Sequence, residues 1–373
     1  MKRLHSPDIV LLALSSALVF FGILILASVS ASFSVQKFGT TFYFFSHQLL
    51  YGLLPGILLG TVAFFLPLQA LKKWSFPLLL FSVVLLAFVF IPGIGGEIKG
   101  AYRWVFLGPI SFQPSEFLKL AFILYTAAWL SSRTEKKALK SRSGSNNTLL
   151  FFGIILGLLS IFLVLQPDIS TLGILSLTGL AMYFLASTPL WHTGAMLVLG
   201  AGLLFFLIHV APYRFSRLAV FLDSSLDPLG KGYQIKQALI GIGSGGLTGV
   251  GLGLSFQKFG ILPEPISDSI FAIFAEEMGF VGSALLLLVF LAFAWRSFFI
   301  AQRVHDSFAR LAALGIAFWI TLQALVNIGS MTGIFPLAGI PLPFISYGGS
   351  ALLTELIALG ILLNISASTT QKT

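Results

Sequence analysis

The chain has 373 residues, of which 57% are hydrophobic and 9% charged, with a formal net charge of +9. A soluble domain carries roughly 25% charged residues, so this composition excludes one and points to a polytopic membrane protein. With no cysteine, a disulfide framework, thiolate chemistry and a Cys-ligated metal are excluded as well. The basic excess sits in short loops, where it reads as a topology signal rather than a nucleic-acid surface.

A bilayer core takes about 20 apolar residues per helix. Ten stretches qualify: 8–29, 46–67, 75–92, 113–131, 148–166, 171–187, 191–211, 268–295, 307–330 and 348–366. The first has no small-residue cleavage site behind it and is expected to remain as a helix. One set of loops and termini holds Lys2, Arg3, Lys72, Lys73, Arg133, Lys136, Lys137, Lys140, Arg142, Arg296, Arg303, Arg310 and Lys372; the opposite short loops hold Lys37, Lys99 and Arg103. That asymmetry puts both termini in the cytoplasm. The linker SRTEKKALKSRSGSNN, between the fourth and fifth spans, is then cytoplasmic and expected to be mobile. The fold class is an all-α integral membrane protein of ten transmembrane helices, a single polytopic domain over 1–373. Between helices 7 and 8 lies a long extracytoplasmic loop, 212–267. Its amphipathic pieces YRFSRLAVFL and KGYQIKQALIGI are expected to lie along the membrane surface, and ordered loops of this length tend to be functional.

GIGSGG at 241–246 matches the dinucleotide fingerprint but lacks the preceding strand and following helix that the motif needs, so it reads as a turned external loop. The five histidines show no ligand spacing. In KGAYRWVFLGPISFQPSEFLKLAF, Pro114 stands where a helix would start and Glu116 falls in its first turn, favoured by the dipole. Glu116 and Lys119 share a face, either as a self-satisfying ion pair or as the wall of a charged cleft. Arg103 and Trp104 lie outside at its mouth. In QPDIST, Asp168 either caps the next helix or belongs to a site.

The stretch LPEPISDSIFAIFAEEMGF gathers Glu264, Asp268, Glu276 and Glu277, four of the thirteen acidic residues in the chain. Pro263 and Pro265 hold the approach extended. Ser267 or Asp268 is then the N-cap of the eighth span, with Asp268 at the outer membrane face. Glu276 and Glu277 lie about 12 Å deeper at 1.5 Å per residue. They point about 100° apart, with Lys119 or neighbouring backbone as their expected partners. Finally, GIPLPFISYGGSALL breaks regular helix before the last span, which is tolerated at membrane depth where the chain lines a cavity.

Together GAYRWVFLGPISFQPSEFLK, QPDIST, LPEPISDSIFAIFAEEMGFVG and PLPFISYGGSAL resemble the signature segments of the SEDS family, the RodA/FtsW-like proteins of shape, elongation, division and sporulation. The resemblance covers nearly the whole chain, and GVGLGLSFQKFGILPEP is closer to the FtsW branch. It implies a peptidoglycan glycosyltransferase of the bacterial cytoplasmic membrane that polymerises lipid II. Asp268 matches the essential outer-loop aspartate of the family, and Glu116 and Lys119 match the pair in its FQPSExxK segment. The implied chemistry is attack by the 4-hydroxyl of an incoming lipid II sugar on the anomeric carbon of the growing chain. Undecaprenyl pyrophosphate departs and a β-1,4 bond forms with inversion. Asp268 is the general base; Arg103, Lys119 and Arg214 or Lys258 are candidates to hold the pyrophosphate. Ser346 and Tyr347 are further substrate-binding candidates, and Asp168, Glu264, Glu276 and Glu277 shape the electrostatics. The resemblance implies no definite cofactor; a divalent cation (Mg or Mn) could share the pyrophosphate. The partner implied is a class B penicillin-binding protein transpeptidase, with other divisome or elongasome membrane proteins and no nucleic acid. Gly279, Gly282 and Ser283 offer its helix a small-residue face. Departures from the family pattern are Ser269 after Asp268, SYGGSA in place of SYGGSS, and Glu355 within the last span. A lipid II flippase and a non-catalytic scaffold of the division complex are the rival readings. A transporter would place its polar groups near the midplane, and a scaffold would tolerate replacement of Asp268.

Overall fold

The computed structural model describes residues 6–98, 100–108, 110–139, 145–210, 212–223, 226–228 and 230–369. Lys2, Arg3, Lys99, Lys140, Arg142 and Lys372 of the topology argument lie outside them, as does part of the linker expected to be mobile; the side chains of Lys136, Lys137 and Arg214 are likewise undescribed. Helices occupy all ten predicted stretches: α1 (Ile9–Phe38), α2 and α3 (Tyr43–Gln48 and Leu54–Phe65, joined through a π-helical turn at Leu49–Leu53), α4 (Leu68–Phe88), α5 (Pro114–Leu139), α6 (Ser145–Leu165), α7 (Ile169–Leu185), α8 (Leu190–Val210), then α11 (Ile270–Arg303), α12 (Ser307–Met331) and α13 (Gly349–Thr369). The amphipathic pieces of the long loop are α9 (Pro212–Leu222) and α10 (Lys231–Ser244). Among the described residues, seven helical segments are long and apolar enough to cross a membrane.

Local chemistry sets the ends of these helices. Asp8 caps α1 by accepting from the Leu11 N–H, and Gly39 closes it in the left-handed region with φ 68°, as helix termini require. At the same end, Asp8 takes a bidentate pair from Arg296 of α11 at 2.9 and 2.6 Å, and its N–H donates to Ser366 of α13. The arginine holds the Asp8 carboxyl below the usual carboxylate range. Packing is densest around the last two helices: 67% of the apolar window of α12 and 83% of that of α13 are buried. Gln323 and Asn327 of α12 and Thr354 and Glu355 of α13 are accordingly buried in protein. Gly60 of α3 meets Gly360 of α13 with no room for a side chain, since a Cβ on Gly360 would stand 2.0 Å from the Gly60 carbonyl.

The all-α expectation fails at one place. The loop between α4 and α5 forms an antiparallel sheet, β1 (Gly95–Ile98), β2 (Ala101–Leu107) and β3 (Ile110–Phe112), in the order β1-β2-β3. AYRWVFL is rich in aromatic and β-branched residues, which favour strands, and it pairs Gly96 with Trp104 and Val105 with Phe112.

The second departure is in α11, which is two helices. Gly279 breaks it with φ 67° and ψ −166°. The glycine-rich turn after α10 enters the break: Val250 and Gly251 donate to the carbonyls of Glu276 and Glu277, and Phe280 and Val281 donate to Gly246 and Leu247. Gly279 thus packs against the chain's own loop, where a Cβ would meet the Gly249 nitrogen at 2.3 Å. This corrects its expected place in a partner-facing surface.

Candidate active site

The segment before α11 is a run of turns. The helix N-cap is Ser269, without a side-chain capping bond, so neither Ser267 nor Asp268 holds the capping place expected of them. Ser269 instead accepts from Gln234 of α10 at 2.9 Å, which ties the approach to the amphipathic loop. Asp268 stands just upstream, half-buried. Its main-chain carbonyl accepts from Asn327 of α12 at 2.9 Å, and the same amide donates to Ile340 at 2.8 Å. Its carboxyl lies over Gly339, whose hydrogen face is 3.8 Å from Oδ2 measured from a built Cβ. Ser267 donates to Glu264 at 3.0 Å and reaches Asp268 at 3.4 Å.

The segment 337–348 is the hub of this region. Arg217 of α9 donates to the Leu337 carbonyl at 3.4 Å, and Ser170 of α7 donates to Ala338. Ser346 donates to the Ser267 carbonyl at 2.5 Å, and the Tyr347 N–H donates to Ile266 at 2.8 Å. Gln48 of α2 donates to the Ser346 carbonyl and accepts from the Gly348 N–H, while Tyr347 meets His47 at 3.0 Å. Ser346 and Tyr347 therefore hold the backbone just before Asp268.

Below lies a buried polar network. Lys119 is 2.8 Å from Glu116 and donates to Gln323 of α12 at 2.7 Å, with the Trp319 ring 5.1 Å from its ammonium. Gln323 also accepts from Trp319 and donates to the Pro341 carbonyl. Both charges are almost fully buried, a setting in which an unpaired charge is very costly. The ion-pair reading of these two residues holds, and the pair also braces the hub.

At the rim, Arg103 on β2 donates to the carbonyls of Gln166 and Pro167 and stands 4.0 Å from Asp168. Asp168 caps α7 by accepting from the Thr171 N–H, and it also accepts from Ser115 at 3.3 Å. It is therefore a cap and a tie between α5 and α7.

Of the two partners expected for Glu276 and Glu277, the structure gives neighbouring backbone. Lys119 serves neither. Glu277 pairs with Lys258 at 3.1 Å, and Lys258 also donates to the Gly253 carbonyl at 2.5 Å. Glu276 accepts from Ser255, from the N–H groups of Phe256 and Gln257, and from Ser244. Although about 100° apart on the helix, the two acids close on one loop because that loop wraps into the break at Gly279. Lys258, expected among the residues that hold pyrophosphate, is buried and engaged here. Sequence reasoning missed Gln323 and Asn327. They are four apart and so share a helix face, two amides in an apolar run, which was a usable signal. It also missed Arg217 and Lys231. Burial, with Arg217 repelling it, pushes the Lys231 ammonium below its ordinary value, and Asp227 offsets part of this. Among the described residues no three His, Asp or Glu side chains gather into a cation site.

A helical membrane bundle whose loop helix α10, α12 and the 337–348 segment meet around one half-buried aspartate is the class of protein these features define. Residues 8–371 match the cell cycle protein family FTSW_RODA_SPOVE, and the chain belongs to that family. It is 41% identical over 95% of its length to a probable peptidoglycan glycosyltransferase FtsW of Coxiella burnetii, covering 94% of that protein. It is 40% identical over 97% to the stage V sporulation protein E of Bacillus subtilis, covering 97% of it. Its fold matches, with a TM-score of 0.79 and 29% identity, a chain solved in work on the structural coordination of polymerization and crosslinking by a peptidoglycan synthase complex; the match covers 98% of this chain and 99% of that one. The rod shape determining protein RodA of Thermus thermophilus matches with a TM-score of 0.69 and 27% identity over 98% of both chains.

Proposed function

We propose that this protein is an inverting peptidoglycan glycosyltransferase that polymerises lipid II at the outer face of the cytoplasmic membrane, on the FtsW-like side of its family. The observation that carries the reading is Asp268: a half-buried carboxyl whose backbone is fixed by Asn327 and whose neighbours are gripped by Ser346 and Tyr347. A general base must be held within hydrogen-bond reach of the proton it takes, and such assistance is typically worth about 10²–10⁴-fold. Asp268 takes the proton of the attacking 4-hydroxyl. The new β-1,4 bond forms at the anomeric carbon as undecaprenyl pyrophosphate leaves. Arg103 at the rim, with Arg217 and Lys231 on the amphipathic loop, are the cations suited to the departing charge; Lys119 acts from below through the hub. A Mg or Mn ion would supply positive charge against the departing pyrophosphate, with Asp268 the carboxylate placed to hold it.

In this reading the chain is one domain that crosses the membrane ten times, with cytoplasmic termini and an extracytoplasmic loop over 212–267. A class B penicillin-binding protein transpeptidase packs on the outer half of α11, beside Gly282. The flippase reading is less well supported. The charged network starts in the first turn of α5, at the outer end of that helix in this topology, whereas transport places binding groups near the midplane. The test is purified Asp268→Asn, with its partner, on lipid II. Asn preserves shape, so unfolding should be unchanged and glycan polymer absent. Polymer at the parent rate would refute the assignment of the base.

A further inference from the structure

Glu355 has no part in the chemistry above. It lies on α13 and is 1% exposed. Its Oε2 accepts the Phe344 N–H at 2.8 Å, while Oε1 has no hydrogen-bond partner. No basic side chain is within ion-pair distance of it among the described residues; the buried pair Glu116–Lys119 is near enough to act on it electrostatically. A carboxyl kept at such a place without a counter-ion calls for a reason, since a neutral side chain would avoid the burial cost.

Phe344 supplies one. Its φ is 64°, a left-handed conformation in which a bulky residue is a genuine outlier. Strained backbone of this kind persists only where its surroundings over-determine it. Two contacts do so. From one side Glu355 holds the N–H. From the other, α1 lies against the carbonyl at Gly22, where an added Cβ would stand 2.2 Å from the Phe344 oxygen. Two residues on, Ser346 accepts from the Leu342 N–H and donates to the Ser267 carbonyl, and Tyr347 donates to Ile266. Those acceptors immediately precede Asp268.

We infer that Glu355 is a positioning residue for polymerisation. By holding the Phe344 N–H it keeps this turn in its left-handed form, and the turn in turn sets where Ser346 and Tyr347 seat the segment that carries Asp268. The inference rests on the reading of Asp268 as the base.

It is the acceptor atom, not the charge, that does this, so the two are separable. Glu355→Gln retains a carbonyl acceptor; Glu355→Leu removes it at similar volume. The experiment measures kcat and KM for lipid II polymerisation by the purified full chain with its partner, and thermal unfolding alongside. Misplacement of a reacting group by about 1 Å can cost about 100-fold. Glu355→Leu should therefore lose about 10- to 100-fold in kcat with KM within about twofold, and Glu355→Gln should restore kcat to within about threefold of the parent. Gly22→Ala, pressing the same turn from α1, should lower kcat in the same manner. Should Glu355→Leu not fold, Gly22→Ala carries the test. Full kcat in a folded Glu355→Leu or in Gly22→Ala overturns the inference, as does a Glu355→Gln no better than Glu355→Leu. Asp268→Asn run in parallel keeps the two readings apart. If it is inactive while the Glu355 and Gly22 variants are fully active, only the positioning role fails; if it is active, the base assignment fails, and this inference with it.

Discussion

Gly279→Ala tests the break in α11. At φ 67° and ψ −166° the position belongs to a region essentially reserved for glycine, and holding another residue there costs about 1–3 kcal/mol. The new Cβ would also stand 2.3 Å from the Gly249 nitrogen and 2.7 Å from the Leu247 carbonyl. Those are backbone atoms and cannot swing aside, so the glycine-rich turn must withdraw. Four backbone hydrogen bonds cross the break, from Val250, Gly251, Phe280 and Val281. Each contributes about 0.5–1.5 kcal/mol. Loss of two of them at about 1 kcal/mol each, added to about 2 kcal/mol of strain, gives about 4 kcal/mol. Thermal unfolding of the purified protein in detergent reads this directly. Gly243→Ala on α10 is the control, since its Cβ would meet nothing within 4 Å and the change should be neutral or mildly stabilising. If Gly279→Ala unfolds at the parent temperature, the loop does not hold the break and the account of α11 is wrong.

Glu116→Gln and Lys119→Met should each cost more than half of the double variant, because either alone leaves a buried charge; simple additivity in a double-mutant cycle on unfolding would count against the pair. The Asp8 carboxyl titrates below its ordinary value because Arg296 binds its ionised form. Its contribution to stability is therefore complete above the unfolded value of about 4 and is lost as pH falls through the folded one. Asp8→Asn should lower the unfolding temperature at pH 7, and the deficit should shrink as the pH falls below about 4; a deficit that does not change with pH would dismiss the linkage. Gly282→Leu, on the outer half of α11, should weaken co-purification of the partner transpeptidase or its stimulation of polymerisation, and retention of both would move the interface elsewhere.

Hydropathy sufficed for the helices because lipid imposes one rule over some 20 residues at a time. All ten stretches are helical, although α4 begins at Leu68, earlier than expected, since Lys72 and Lys73 can lie in a helix whose stems reach past the apolar zone. The β-sheet is invisible to hydropathy and charge, because its signal is the β-branched and aromatic content of AYRWVFL. Within the site, the Glu116–Lys119 pair was readable from spacing three apart. The partners of Glu276, Glu277 and Lys258 were not, because they depend on a loop folding back into a helix break, and Gly279 in a run of helix-formers reads as a packing residue. The role of the 337–348 segment as hub was equally out of reach: its contacts are mostly main-chain carbonyls, which leave no mark on residue identity.

The filled break in α11 has a bearing on how the protein is made. Glu276 and Glu277 travel on a helix long and apolar enough to cross a membrane, where a carboxylate raises the cost of insertion. The groups that satisfy them, Ser244, Ser255, the 256–257 amides and Lys258, are all synthesised earlier. The acids therefore emerge from the ribosome after the groups that satisfy them. A chain shortened across 246–258 would leave them, of these groups, Ser244 alone, and insertion of this helix, rather than its chemistry, would be the first thing to fail.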